Sequence, residues 1–187
     1  MRVIAGISRG IKLSAPTGLT TRPTSDRVKE AMFSILTSRL DFAGVRVLDI
    51  CAGSGSLGIE ALSRGAGHCL FIESNQSVKT ILLRNVLVTH CSNRSEVITI
   101  DAVKGLQFLS KRETSIDLVL FDPPYDSGLY QPVLELLGSS GLLASEALIV
   151  TECSAKKPLL ESYGGLIRTM RRVYGDTALE LFTLEGK

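Results

Sequence analysis

The run Val45-Arg46-Val47-Leu48-Asp49-Ile50-Cys51-Ala52-Gly53-Ser54-Gly55-Ser56-Leu57-Gly58, residues 45–58, decides how this chain is read. Val45–Ile50 is nearly continuous in apolar residues, as a buried strand is. Glycines then alternate, and a helical pattern follows. Strand, glycine turn and helix in that order open a βαβ unit. Four more runs of the same kind lie downstream: Cys69–Glu73, Val97–Ile100, Asp117–Asp122 and Ala147–Glu152. The segments between them carry helical spacing, such as Val78, Ile81, Leu82 and Val86. Alternation of this kind predicts an α/β fold built on a doubly wound, mostly parallel sheet. Leu166–Tyr174 and Thr177–Leu184 flank Gly175-Asp176, a two-residue hairpin signal, so the sheet is expected to end in an antiparallel pair.

The N-terminal part reads differently. Residues 2–5 and 11–13 are short β-type stretches around Gly6–Gly10, which predicts a small hairpin. A Pro-, Thr- and Gly-rich loop follows over residues 14–23. Thr24 or Ser25 can cap a helix running to about residue 40, with Val28, Ala31, Met32, Ile35 and Leu36 on one face. Two parts are therefore expected: a basic hairpin and loop over residues 1–23, and one α/β domain over residues 24–187.

Bulk composition agrees with a globular chain: 187 residues, 44% hydrophobic and 21% charged. Residues 1–30 carry six basic and two acidic side chains, +4, which leaves −2 for the remainder of a chain whose net charge is +2. A basic end on a slightly acidic body suits a polyanionic partner. The four cysteines and two histidines make no metal-ligand spacing, so no metal is expected. With no secretory leader pattern and no uncharged run of membrane-spanning length, the expected location is the cytoplasm. At this size a monomer is the simpler expectation.

The acidic residues carry the chemistry. Asp49, Glu73, Asp101 and Asp122 each fall at, or one step past, the carboxyl end of an expected strand. Ligands of open α/β sheets bind outside those ends. Gly53–Gly58 matches G-x-G-x-x-G, and Glu73 lies twenty residues after Gly53, the dinucleotide fingerprint. A dinucleotide would set its pyrophosphate close to Asp49, an unfavourable meeting of like charges. S-adenosylmethionine presents an ammonium and a sulfonium instead, and suits that carboxylate. Glu73 can accept from ribose hydroxyls and Asp101 from an adenine amine, with glycines allowing close backbone approach.

Asp122-Pro123-Pro124-Tyr125 follows the fourth parallel strand. An exocyclic amine on a base is a poor nucleophile because its lone pair is delocalised into the ring. Asp122 and the Pro123 carbonyl can each accept one N–H, and the same acceptors stabilise positive charge growing on nitrogen. The prolines stiffen the segment, and Tyr125 offers a face on which an unpaired or flipped-out base can stack.

These motifs resemble the amino-group methyltransferases of nucleic-acid bases, and more closely the bacterial small-subunit rRNA guanine-N2 methyltransferase family, the RsmD type. Arg2–Gly6 with Arg9–Leu13, Arg22–Glu30, Asp49–Arg64, Asp122–Tyr125 and Ala147–Glu152 carry the resemblance, which spans nearly the whole chain. It implies a Rossmann-like class I methyltransferase sheet of seven strands, S-adenosylmethionine as cofactor, and the N2 amine of a 16S rRNA guanine as target. The rRNA of the small subunit, free or partly assembled, is the implied partner. Carried over by position, Asp49, Ala52, Gly53, Ser54, Gly55, Glu73, Ser74, Asp101 and Ala102 would hold the cofactor, and Asp122–Tyr125 the base. Arg9, Lys12, Arg22 and Arg27 would contact RNA. The tetrapeptide does not by itself separate guanine from adenine or cytosine amines, so another RNA or DNA is the alternative substrate. A nicotinamide-dependent oxidoreductase and a non-catalytic RNA-binding protein are alternatives of other classes. Cys51 reads as a small filler, His68 and His90 as surface or packing residues, and Arg64 as a helix-end charge.

Overall fold

A computed structural model describes residues 1–16, 26–112 and 114–186. Side chains alternate along β1 (Arg46–Ile50) and sort the molecule into two faces. Val47 packs with helices α1 (Asp26–Thr37), α2 (Ser56–Ser63) and α3 (Gln76–Val88) on one side. Leu48 and Ile50 pack with α4 (Ala102–Leu109) and α5 (Tyr130–Ser139) on the other. Both faces are covered, which is why the central strands read as unbroken apolar runs.

β1 lies between β2 (His68–Ile72) and β4 (Ile116–Phe121), with β3 (Ser95–Ile98) beyond β2 and β5 (Leu143–Ser154) beyond β4, all parallel. The strand order reverses between β1 and β4, so a crevice opens at the carboxyl ends of these two strands. β8 (Thr177–Leu184) and β7 (Leu166–Tyr174) add antiparallel strands, with their tip at Gly175-Asp176 as expected. This is the class I methyltransferase architecture.

Eight strands are present among the described residues, not seven. The extra strand, β6 (Ser162–Tyr163), pairs with β7 through a turn at Gly164-Gly165. Gly-Gly is itself a hairpin signal, but a two-residue strand leaves no periodicity to notice. Elsewhere the differences are of length. β3 ends at Ile98, not Ile100, and β5 begins four residues earlier than expected.

The N-terminal hairpin shrinks to one antiparallel bridge, Arg2 with Lys12, and the segment is tied down by a buried charge cluster. Glu60 in α2 accepts from the backbone N–H groups of Ile4 (2.7 Å) and Ala5 (3.0 Å) and from Arg64 Nε (2.9 Å). Lys29 Nζ lies 3.7 Å from Glu60 and donates to the Arg2 carbonyl (2.7 Å) and to Ser56 Oγ (3.1 Å). Lys29 and Glu60 are both 0% exposed. Burial pulls the Lys29 pKa down, while Glu60 and Asp26 hold it up. One of the six basic groups counted at the N-terminus is thus internal. Arg64, read as a helix-end charge, caps α2 and covers the Phe33 ring at 4.9 Å.

Removing one partner of a buried ion pair leaves the other charge uncompensated. Glu60→Ala is therefore expected to lower the unfolding free energy by about 3–5 kcal/mol, measured by urea denaturation. A loss below about 1 kcal/mol, the scale of an exposed pair, would show that the cluster is not structural.

Candidate active site

The close approach of α2 to the sheet shapes the site. A Cβ at Gly58 would run into the Phe71 ring and Cys69 Sγ, so only glycine lets the helix settle there. Gly58 N–H then donates to Asp49 Oδ2 at 2.9 Å. To reach that position from β1 the chain turns sharply. Cys51 (φ 60°), Gly53 (φ 55°) and Gly55 (φ 78°) all take left-handed backbone conformations. Gly55 is the N-cap residue of α2, with Leu82, Ile59 and Phe71 crowding the place of a Cβ. Gly53 differs: a Cβ there would meet nothing closer than 3.9 Å. The open side of the turn is at Gly53, and Gly55 serves packing.

The turn borders a cavity of ≈ 1280 Å³ at the carboxyl ends of the parallel strands. That exceeds the ~300–1,000 Å³ of a site for one small ligand and leaves room for two. Of the expected cofactor residues, Asp49, Ala52, Gly53, Ser54, Glu73, Ser74, Asp101 and Ala102 line it, and Gly55 does not. Glu73 holds the turn in place, accepting from Gly53 N–H (2.8 Å) and Asn75 N–H (2.8 Å). A carboxylate has about four acceptor positions, so capacity remains on the cavity side. Asp101 caps α4, accepting from Val103 and Lys104 N–H, and stays exposed.

Asp49 is 1% exposed. Burial pushes its pKa up to about 8, the Gly58 N–H opposing the rise and the charges of Asp122 and Glu73 adding to it. Cys51 is pushed up to about 12 by burial and by the surrounding carboxylates, Glu73 foremost. Such a thiol is not a nucleophile, in keeping with a filler role.

All four residues of Asp122–Tyr125 line the same cavity. Pro123 is buried, while Asp122 and Tyr125 are partly exposed to the cavity. The Tyr125 hydroxyl donates to Glu152 Oε1 (3.2 Å) and is hydrogen-bonded with Thr177 Oγ1 (2.8 Å). Burial pushes the phenol pKa up to about 12, so the phenol keeps its proton. The ring is thus held from β5 and β8, strands far from it in sequence. Glu152 and Thr177, together with Tyr174 at the β7–β8 tip, line the cavity and were not foreseen. Glu152 closed an expected strand and carried no motif of its own. An acidic residue at the carboxyl end of a parallel strand is the signal that could have found it.

The basic residues separate. Arg27 is exposed and lines the cavity mouth. Lys12 is exposed and bridged to Arg2, whose carbonyl holds Lys29 beside Ser56 at the start of α2. Arg9 sits in a loop bound to the other end of that helix, where Ile7 N–H donates to the Ser63 carbonyl (2.9 Å). Arg22 lies outside the described residues, as do the capping candidates Thr24 and Ser25. Arg171, on β7, is engaged by the buried Glu180 (2.9 Å). Among the described residues no helix is long and apolar enough to cross a membrane.

Comparison with known proteins gives a consistent result. The model of a family described as conserved hypothetical protein 95 matches residues 1–183. A Bacillus subtilis protein, YlbH, provisionally named an rRNA methyltransferase, is 36% identical over 186 residues, all of both chains. Ribosomal RNA small subunit methyltransferase D of Escherichia coli K12 is 34% identical over 187 residues, covering 100% of this chain and 91% of its own. The solved structure of E. coli yhhF, provisionally named a methyltransferase, superposes with a TM-score of 0.84 at 34% identity, covering 100% of this chain and 99% of its own.

A carboxyl whose folded pKa is raised makes stability pH-dependent. The folded protein holds the Asp49 proton up to about pH 8, whereas the unfolded chain releases it near pH ~4. Between those values the unfolded state binds fewer protons, so stability falls as pH rises. Asp49→Asn is expected to remove that slope, seen as a wild-type-minus-variant difference in unfolding free energy that grows more negative from pH 4 to pH 8. A difference constant across the range would mean that Asp49 is ionised throughout.

Proposed function

The chain belongs to the family described as conserved hypothetical protein 95, and from that footing we propose that it is an S-adenosylmethionine-dependent rRNA methyltransferase acting on the N2 amine of a guanine in the 16S rRNA of the small subunit. The observation that carries this reading is one cavity bordered by both the glycine turn of β1 and Asp122–Tyr125 after β4. The names of full-length relatives, rRNA methyltransferases, support the substrate class.

The residues present fit the cofactor. The turn is open at Gly53, where a Cβ would meet no neighbour within 3.9 Å. Glu73 and Asp101, each already aligned by two backbone N–H groups, face the cavity as acceptors for ribose hydroxyls and an adenine amine. Asp49 offers a carboxyl to a cationic group, and a cation beside it would lower its pKa from about 8. When bound, S-adenosylmethionine supplies an electrophilic methyl group.

The rest of the chemistry belongs to the chain. Asp122 and the Pro123 carbonyl accept the two N–H groups of the amine and turn its lone pair toward the methyl. They also stabilise the positive charge that grows on nitrogen, and Asp122 stands ready to take the proton that nitrogen releases. Pro123 is buried and its ring restricts the backbone there. Tyr125, held by its hydroxyl, fixes the plane of the stacked base. Arg27 and Lys12, exposed near the turn, contact phosphates, and Arg9 extends the footprint along α2.

Two measurements test the reading. Labelled methyl from S-adenosylmethionine should enter unmethylated small-subunit rRNA, free or in subunits, and appear as N2-methylguanosine after digestion. Asp122→Ala should lower transfer by at least ~10² while keeping most of the cofactor affinity. Label in another nucleoside, or an active Asp122→Ala, would sink it. Replacing Arg9, Lys12 and Arg27 together with Ala should reduce the salt slope of RNA binding by about 2, at ~0.7 per lost single-strand contact. An unchanged slope would remove this surface from the interface.

A further inference from the structure

Asp122 and the Pro123 carbonyl recognise an exocyclic amine, which guanine, adenine and cytosine all carry. They say nothing of which base is meant. The discriminating group is the ring nitrogen beside the amine. In guanine, N1 bears a hydrogen and donates. In adenine (N1) and cytosine (N3) the neighbouring nitrogen is an acceptor. A site for guanine N2 therefore needs a second acceptor next to the first, and a site for the other two amines needs a donor there.

The structure holds such an acceptor. β4 and β5 run parallel with Phe121 opposite Thr151, so Asp122 and Glu152 are the next residues on adjacent strands. Neighbouring strands lie about 4.8 Å apart, close to the reach of two adjacent donors on one base edge. Both residues line the cavity. Glu152 is 5% exposed, so its carboxyl is shielded from bulk water. Its Oε1 accepts from the hydroxyl of Tyr125, the ring proposed to stack the base, at 3.2 Å. Its backbone is fixed two ways: by pairing with Leu179 of β8 and by the Tyr130 hydroxyl, which donates to its carbonyl (3.1 Å). Resting on the function proposed above, we infer that Glu152 is a specificity-determining residue: its carboxylate accepts the N1–H of the acceptor guanine beside Asp122 and rejects bases whose ring nitrogen carries a lone pair there.

A carboxylate has about four acceptor positions, so the Tyr125 bond does not exhaust it. The same group thus sets the stacking ring and reads the edge of the base stacked on it. A lone pair facing a carboxylate in a half-dry cavity is repelled, and a buried polar group left unsatisfied makes such discrimination steep.

The test uses an rRNA fragment methylated by the wild-type protein, with its mapped acceptor guanosine replaced by 2-aminopurine ribonucleoside. That base keeps the 2-amine and has an acceptor at N1. Its missing O6 affects wild type and variants alike, so changes in the ratio of kcat/KM between the two bases isolate the variant residue. Wild type should prefer guanine by ~100-fold or more. Glu152→Gln, whose amide can turn its N–H₂ toward an acceptor nitrogen, should lose ~10–100-fold on guanine and compress the preference by ~10-fold or more. Thr177→Val, which removes the other anchor of Tyr125, should slow both bases in equal proportion and leave the preference intact.

If Glu152→Gln behaves as Thr177→Val does, Glu152 only anchors the tyrosine and the inference is overturned. Equal use of both bases by wild type overturns it as well. Absence of N2-methylguanosine with wild type overturns the functional reading itself, and this inference with it.

Discussion

The hydrogen bond from Gly58 N–H to Asp49 Oδ2 is the contact on which the site depends. It draws the first turn of α2 onto the end of β1, which is possible only because residue 58 has no side chain to strike Phe71 and Cys69. Once the helix sits there, five residues must carry the chain from Ile50 to Ser56. Left-handed conformations at Cys51, Gly53 and Gly55 follow from that short path. The turn in turn presents Gly53 N–H to Glu73, so the ends of β1 and β2 are tied across the sheet. A carboxyl that would be costly to bury alone is tolerated because it accepts this bond and because its pKa rises, so that it need not be charged.

The second constraint is the Lys29–Glu60 cluster, which makes the N-terminal segment part of the same machinery. Glu60 lies in α2, two residues beyond Gly58, and grips the backbone at Ile4 and Ala5. Lys29 joins that segment to Ser56, the first residue after the glycine turn. Val3 and Leu13 pack into the core alongside. Displacing the segment would therefore leave buried donors and a buried charge unmatched and would loosen the start of α2. A surface proposed for RNA and a turn proposed for the cofactor share one rigid support.

Most of the fold was legible in the sequence because parallel strands covered on both faces read as apolar runs, and because Gly175-Asp176 marks a hairpin. The carboxylates at the strand ends, the glycine turn and Asp122–Tyr125 were legible for the same reason: each sits at a transition of pattern. What the sequence did not disclose depends on partners distant along the chain. Glu152 is joined to the site through the Tyr125 hydroxyl, 27 residues away, and Thr177 through the same group, 52 residues away. Lys29 looked like one more surface base, and its burial follows from Glu60 and the Arg2 carbonyl. The sequence reading gave Gly53 and Gly55 to a ligand, whereas Leu82, Ile59 and Phe71 crowd the place of a Cβ at Gly55 and Phe71 and Cys69 that at Gly58.

Charge explains how the parts divide their work. Asp49, Glu73, Asp101, Asp122 and Glu152 all line one cavity, and among the described residues Arg27 is the basic side chain at its mouth. Such a cavity is hostile to phosphate, so a nucleic acid can offer it only a base, with the backbone held outside. A cationic ligand entering among these carboxyls gains what a phosphate would lose, and by offsetting part of the negative field it eases the later approach of a polyanion. On the proposed function, the basic N-terminal segment would act where the phosphates must remain, on the surface beside the mouth. The acidic interior and basic rim would then be one arrangement: the first admits a base and the second meets the phosphates outside.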